Sequence, residues 1–451
     1  MRSNEQFLDN PFSNRHDKAP PAMLVYIFVL FCFVGLFICE IDPVIGNDIL
    51  IFLEGVFIYG YFYHYFKFNE NSGFFKELFE TKRNILVLFL LWGLGTFLSL
   101  ILSPILTDLH TIAAQIPRFI GSIVSVLFAY TLWHFLKSQQ LNPWILLFTI
   151  AFTALITGLN FFLVWNLYPH LHSAPDWLLN PPFYINIRQA GFHANAAVCV
   201  LVGFLYRSDL KIPIKIAAFI FLIMLWSYLF WTGGRASSLS ALISVLLVIV
   251  ILMMLKQKIT SFVILLLAAI LAGFLLAEYM AVLPINGLLS IFERNVSGGV
   301  NAFSSGRLEI WKDSFAALEN NWIFGLGAES YMFLINSEGE KLFSTQPHNV
   351  IVQFLVEWGV VGLFLSSLLL TLLFYKGFKN FVAQIQSSNA ESNNSESSNT
   401  GLKITSFMII ISFSITGLAD GTFYHGQTVV YLLLAFAIWL LPEPLSISDV
   451  K

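Results

Sequence analysis

Charge is scarce in this chain of 451 residues: Asp, Glu, Lys and Arg make up 11% of it, against 57% hydrophobic and 16% aromatic. No region reaches the charge density of a soluble domain, and apolar runs of bilayer-spanning length cover the sequence almost end to end. Cysteine is nearly absent too. Cys32, Cys39 and Cys199 all fall inside or at the edge of apolar runs. That leaves the polar connections without a disulfide framework, and no CxxC or Cys/His cluster suggests a metal. The polar N-terminal stretch lacks a cleavage site and is too long for a secretory signal peptide, so Met23 onward reads as a retained first span. An internal repeat is also lacking.

What is present is a series of twelve expected spans, at about 22–39, 44–65, 84–103, 117–136, 143–165, 189–206, 212–231, 237–255, 259–281, 349–375, 403–419 and 423–441. The fold class expected is therefore an all-α integral membrane protein with one large extramembrane loop containing amphipathic helices. Its organisation reads as a tail (1–21), spans one to nine (22–281), the large loop (282–347), spans ten to twelve (348–441) with a disordered connection at 380–402, and a tail (442–451). An even span count puts both termini on one side. Lysine marks that side as cytoplasmic, because the tails and the even-numbered connections carry Lys67, Lys82, Lys137, Lys211, Lys215, Lys256, Lys376, Lys379 and Lys403, among others. The Ser/Asn-rich run 387–400 lies in one of these connections.

Seven basic residues fall on the other side: Arg118, Arg188, Arg235, Arg294, Arg307, Lys312 and Lys341. Five of them are arginines, concentrated where the positive-inside bias would exclude them. A guanidinium fork binds phosphate bidentately, so arginines beside lipid point to an anionic headgroup such as a pyrophosphate; snorkelling to phospholipid is the simpler alternative, above all for Arg118 and Arg294. Arg188, Arg235 and Arg307 stand at or beside expected helix starts, where exposed N–H groups already favour an anion. Arg307 opens a helix whose apolar stripe is Leu308, Trp311, Phe315 and Leu318. His348 sits where the polar loop ends and the tenth span begins. In a regular helix His348, Val352, Leu355, Gly359 and Gly362 would share one face, and the glycines would admit another helix or a lipid chain. Glu357 falls on the opposite side, making it an unlikely partner for the histidine. Asp420 and His425 flank the last outer turn, with no spacing that fixes their place.

Three stretches carry a family resemblance: GGRASSLS at 233–240, SSGRLEIWKDSF followed by FGLGAESY at 304–331, and PHNVIVQFLVEWGVVGL at 347–363. Together they resemble the bacterial O-antigen ligase and polymerase superfamily of polytopic glycosyltransferases. The resemblance implies an inverting, metal-independent transfer of a glycan from undecaprenyl pyrophosphate, with no cofactor, at the periplasmic face of the bacterial inner membrane. By position it implies that Arg235 and Arg307 hold the pyrophosphate and that His348 acts as general base or orients the donor. Arg188, His193, Asn349 and Ser237 are the expected substrate-binding residues around them. The absence of a DxD-like pair among the acidic residues of the outer loops accords with arginines in place of a metal.

The acceptor is left open between a lipid A–core sugar (ligase), a growing repeat unit (polymerase) and a protein side chain (oligosaccharyltransferase). One large outer loop favours the ligase. A reading of another class is a twelve-span secondary transporter, which would depend on Glu54 or Glu357 within spans rather than on the arginines and the histidine.

Overall fold

A computed structural model describes residues 43–68, 83–137, 142–167, 187–281, 287–289, 306–334, 346–388, 394–423 and 426–442, and every regular element among them is helical. The expected first span, the N-terminal tail, residues 443–451, Arg294, Lys341 and His425 lie outside the described residues. In chain order the first helices are α1 (Pro43–Phe68), α2 (Arg83–Ile101), α3 (Leu109–Lys137) and α4 (Pro143–Leu167). They are followed by α5 (Ile187–Leu205), α6 (Ile212–Trp231), α7 (Arg235–Met254) and α8 (Thr260–Met280). The short α9 (Arg307–Ala317) and a 3-10 turn (Ser330–Phe333) precede α10 (Val350–Ser388), α11 (Asn394–Gly417) and α12 (Gly426–Trp439).

Eight of the described helices are long and apolar enough to cross a membrane: α2, α3, α4, α6, α7, α8, α10 and α11. The architecture is thus that of an all-helical, multi-pass membrane protein. Helices α1, α5 and α12 occupy three more of the expected positions. α1 carries Asp48 and Glu54, α5 carries Arg188, His193 and Asn195, and α12 has 14 residues.

One expectation is corrected at the far end of α10. Residues 380–388 and 394–402, placed in a disordered connection, are helical. Their sequence is polar overall, yet Phe381 and Ile385 are fully buried, with the Phe381 ring against Phe407 and Trp439. Those two anchors, one helical turn apart, give the polar end of α10 a buried apolar face.

The bundle is centred on α5, which is buried from Gln189 to Leu205 between α4, α6, α7 and α11. Such a helix must satisfy its polar side chains internally. Asn195 Nδ2 donates to Ser412 Oγ (2.7 Å) and to Ser240 Oγ (3.2 Å), and Ser240 meets Thr416 at 2.7 Å. Each such bond inside a bilayer contributes about 0.6 kcal/mol on average. Together they lock α5, α7 and α11 one or two turns below the residues that form the site. At the opposite end the buried Lys403 ammonium caps α12, donating to the carbonyls of Ile438, Trp439 and Leu441.

Helix α10 is not continuous. Gly359 takes φ 64° and ψ −170° and splits it into two arms. The expected common face of His348, Leu355, Gly359 and Gly362 is therefore broken, and His348 precedes the first helical residue. What approaches Gly359 is neither a helix nor a lipid chain but the loop at 322–327. Leu326 N donates to Val356 O (2.8 Å) and Gly327 N to Glu357 O (2.9 Å), while Val360 N donates to Trp322 O (2.9 Å). The opened turn and the loop thus satisfy each other's backbone groups. A Cβ at residue 359 would run into Ile323 O in a left-handed backbone conformation. Gly359→Ala is accordingly expected to destabilise the protein by about 1–3 kcal/mol, read as a lower melting temperature in detergent with the helical content retained.

Candidate active site

The site is assembled at the end of the bundle where α5, α7 and α10 begin and α11 ends. Arg188 is the second residue of α5, Arg235 the first of α7 and Arg307 the first of α9. The first turns of α5 and α7 are in contact: at Gly191 an added Cβ would lie 3.3 Å from Ser237 Oγ. Gly306 caps α9 in the left-handed conformation, φ 77°. One turn on, Trp311 Nε1 donates to Pro347 O at 2.8 Å, which fixes α9, and with it Arg307, to the segment that bears His348. Of the expected apolar stripe on α9, Leu318 is buried and Trp311 half-buried, whereas Leu308 and Phe315 stay exposed. The packed face runs instead through Ile310, Trp311, Ala317 and Leu318, against a small core containing Leu326, Tyr331, Val352 and Val356.

His348 has φ 51°, a left-handed conformation that costs a side-chain-bearing residue of order 1 kcal/mol. Its Nδ1 lies 3.0 Å from Asp420 Oδ1. Asp420 sits in the turn after α11, is nearly fully buried, and also accepts Gly421 N at 2.8 Å. Its second oxygen is 3.8 Å from Arg188 Nε. Burial pushes the Asp420 carboxyl up, but the His348 hydrogen bond, the Arg188 charge and the Gly421 N–H outweigh it and hold the group down to about 2. The stabilisation that follows is fully present above the ordinary aspartate value of 3.8 and is lost as the pH falls towards 2.

The three arginines feel one another. Burial pushes the Arg307 guanidinium below its ordinary value; Asp420 opposes this, and the charges of Arg188 and Arg235 add to it. Arg188 and Arg307 both feel the Asp420 carboxylate, and Arg235 stands near enough to Arg307 to add to the positive charge gathered there.

The remaining expected site residues lie apart from that cluster or serve its frame. His193 is fully buried, its Nε2 3.0 Å from Thr153 Oγ1 and 3.1 Å from Ile150 O, with its ring stacked on Tyr431. Asn349 caps α10: Oδ1 accepts Ile351 N and Val352 N at 2.9 and 3.1 Å, and Nδ2 donates to Leu418 O at 2.9 Å. It therefore also ties the start of α10 to the turn bearing Asp420. Asn349→Ala removes the cap and is expected to cost about 1 kcal/mol, with a matching drop in thermal stability. Ser237 is buried at the α5–α7 contact.

Asp420 is the residue whose role spacing did not reveal. One signal was available: it is the only carboxylate between residues 401 and 441, and it falls in the turn on the same side as the arginines.

Residues 218–367 match the family described as O-antigen ligase. The matched stretch includes Arg235, Arg307, His348 and Gly359; Arg188 and Asp420 lie outside it. No curated protein matches the chain.

Proposed function

We propose that this chain is a ligase-type glycosyltransferase of the O-antigen ligase and polymerase superfamily, a reading supported by the match of residues 218–367 to the O-antigen ligase family. In this reading it moves a glycan from undecaprenyl pyrophosphate to a lipid A–core acceptor at the periplasmic face of the bacterial inner membrane. Twelve spans, cytoplasmic termini and a periplasmic loop at 282–347 complete the topology. The observation that carries the reading is the clustering of Arg188, Arg235 and Arg307 with the His348–Asp420 pair. A pyrophosphate diester bears one negative charge on each phosphate, and guanidinium forks bind such oxygens bidentately.

The chemistry follows from the same groups. Asp420, ionised and bonded to Nδ1, holds the histidine in the tautomer that carries its proton on Nδ1 and leaves Nε2 unprotonated. Nε2 takes the proton of the acceptor hydroxyl as its oxygen attacks the anomeric carbon. The anomeric carbon–oxygen bond breaks on the opposite face, with inversion, and undecaprenyl pyrophosphate leaves with the bonding electrons. The arginines stabilise the charge growing on the leaving phosphate and need no metal to do so.

Complementation of two hosts, one lacking its ligase and one its polymerase, tests this. Full-length lipopolysaccharide ladders restored in the ligase-null host alone are expected. Rescue of the polymerase-null host alone would make the growing repeat unit the acceptor.

A further inference from the structure

The two partners of the His348–Asp420 contact sit on segments far apart in sequence, and Arg118 of α3 touches the supports of both. Its Nε pairs with Glu329 Oε2 at 3.3 Å, and its Nη2 donates to Phe423 O at 3.2 Å. Phe423 closes the turn that starts at Asp420. Glu329 ends the loop whose Leu326 and Gly327 are backbone-bonded to Val356 and Glu357, in the arm of α10 that begins just behind His348. The neighbouring side chains of the α2–α3 hairpin grip the same loop and the α10 arm it is bonded to. Ser99 Oγ donates to Glu357 O at 2.6 Å, Ser103 Oγ donates to Leu326 O, and Gln115 Nε2 donates to Ser103 Oγ at 3.3 Å. Glu329 holds a left-handed conformation, φ 56°, within this grip. Both ends of the Arg118–Glu329 pair are largely buried, with side chains 20% and 16% exposed, so solvent screens it little.

We infer that Arg118 is a positioning residue for the His348–Asp420 pair, a strap between the histidine arm and the aspartate turn. Only a guanidinium can serve both partners at once, because its Nε and Nη2 point to different acceptors; a lysine ammonium on the same backbone reaches one or the other. A misplacement of about 1 Å between reacting groups costs up to about 100-fold in rate. The catalytic half of the inference rests on the transferase reading above, whereas its geometric half does not.

The test separates the two. In full-length protein in native membranes, with the three cysteines replaced, His348→Cys and Asp420→Cys are introduced together and linked with a short bifunctional thiol reagent. Adding Arg118→Ala is expected to lower the linked fraction at least threefold, and Glu329→Gln, which keeps an acceptor for Nε, to lower it less. An unchanged linked fraction with Arg118→Ala overturns the inference. If that variant fails to reach the membrane, Arg118→Lys decides: an intermediate fraction supports the strap, and a native one overturns it. In the protein with His348 and Asp420 intact, Arg118→Ala is expected to cut kcat 10- to 100-fold, with KM for a polyprenyl pyrophosphate-linked oligosaccharide unchanged. A raised KM at native kcat overturns the positioning role. No transfer by the native protein would retire the transferase reading, and the linking result would still decide the role of Arg118.

Discussion

His348→Ala is expected to lower glycan transfer by about 10²–10⁴-fold, the usual contribution of a positioned general base, while the protein reaches the membrane in native amounts. The imidazole lies at the edge of the bundle with its side chain 17% exposed, and alanine keeps the Cβ at the left-handed backbone position, so the fold around it is retained. Asp420→Asn is the informative companion. It keeps a side chain of the same shape against Nδ1 but removes the charge that fixes the tautomer and balances Arg188 and Arg307. A loss comparable to that of His348→Ala is expected, together with lower stability, because Arg188 and Arg307 lose the carboxylate charge they face. The pH dependence has a definite sign. With Asp420 held down to about 2, its charge is constant across neutral pH, and it contributes no step to the activity profile there. Transfer rates with a purified lipid-linked donor check both substitutions. Native turnover by His348→Ala would remove the base mechanism.

Arg307→Lys is expected to cost about 10²–10³-fold in turnover, in the range seen when one preorganised donor is taken from a developing oxyanion. The charge is retained, so an effect of that size would come from geometry. Arg307 opens α9, is partly buried, and is held to the histidine segment by Trp311 through Pro347 O. A lysine there presents a point charge on a flexible stem and cannot bridge two phosphate oxygens in the plane of a fork. Arg235→Lys is expected to follow the same pattern. Arg188→Lys should be milder, since that side chain is 45% exposed and its contact with Asp420 is long. Native turnover in Arg307→Lys would mean that the residue supplies only background charge.

The helical architecture was legible because apolar runs of fixed length have few alternatives. Helices lie at eleven of the twelve expected positions, the first being outside the described residues. The arginines stood out for a different reason: five of the seven basic residues expected opposite the lysine-marked side are arginines, and Arg188, Arg235 and Arg307 among them come close enough to feel one another. Periodicity failed at Gly359, where a regular 100° step was assumed through a residue that leaves the helix. Nothing local announces that break, since its cause is a loop arriving from residues 322–327. The same holds for Asn349, whose amide is used in a cap rather than offered to a ligand, and for His193, where burial against Thr153 and Tyr431 depends on how α4 and α12 pack. Asp420 was a lone acid in an apolar hairpin, and only the meeting of two distant turns gives it a task.

That meeting bears on what can be inherited as a unit. The stretch 218–367 brings with it the imidazole and two of the guanidiniums, but the carboxylate opposite the imidazole comes from the turn between α11 and α12. A chimera that transplanted the matched stretch alone would import an imidazole whose orientation depends on the host's last hairpin. With a neutral turn there, the graft would carry concentrated positive charge and an imidazole free to adopt either tautomer. The smallest portable unit of this site is therefore the matched stretch together with that turn, and exchanges between relatives should respect the pairing even where the intervening helices differ.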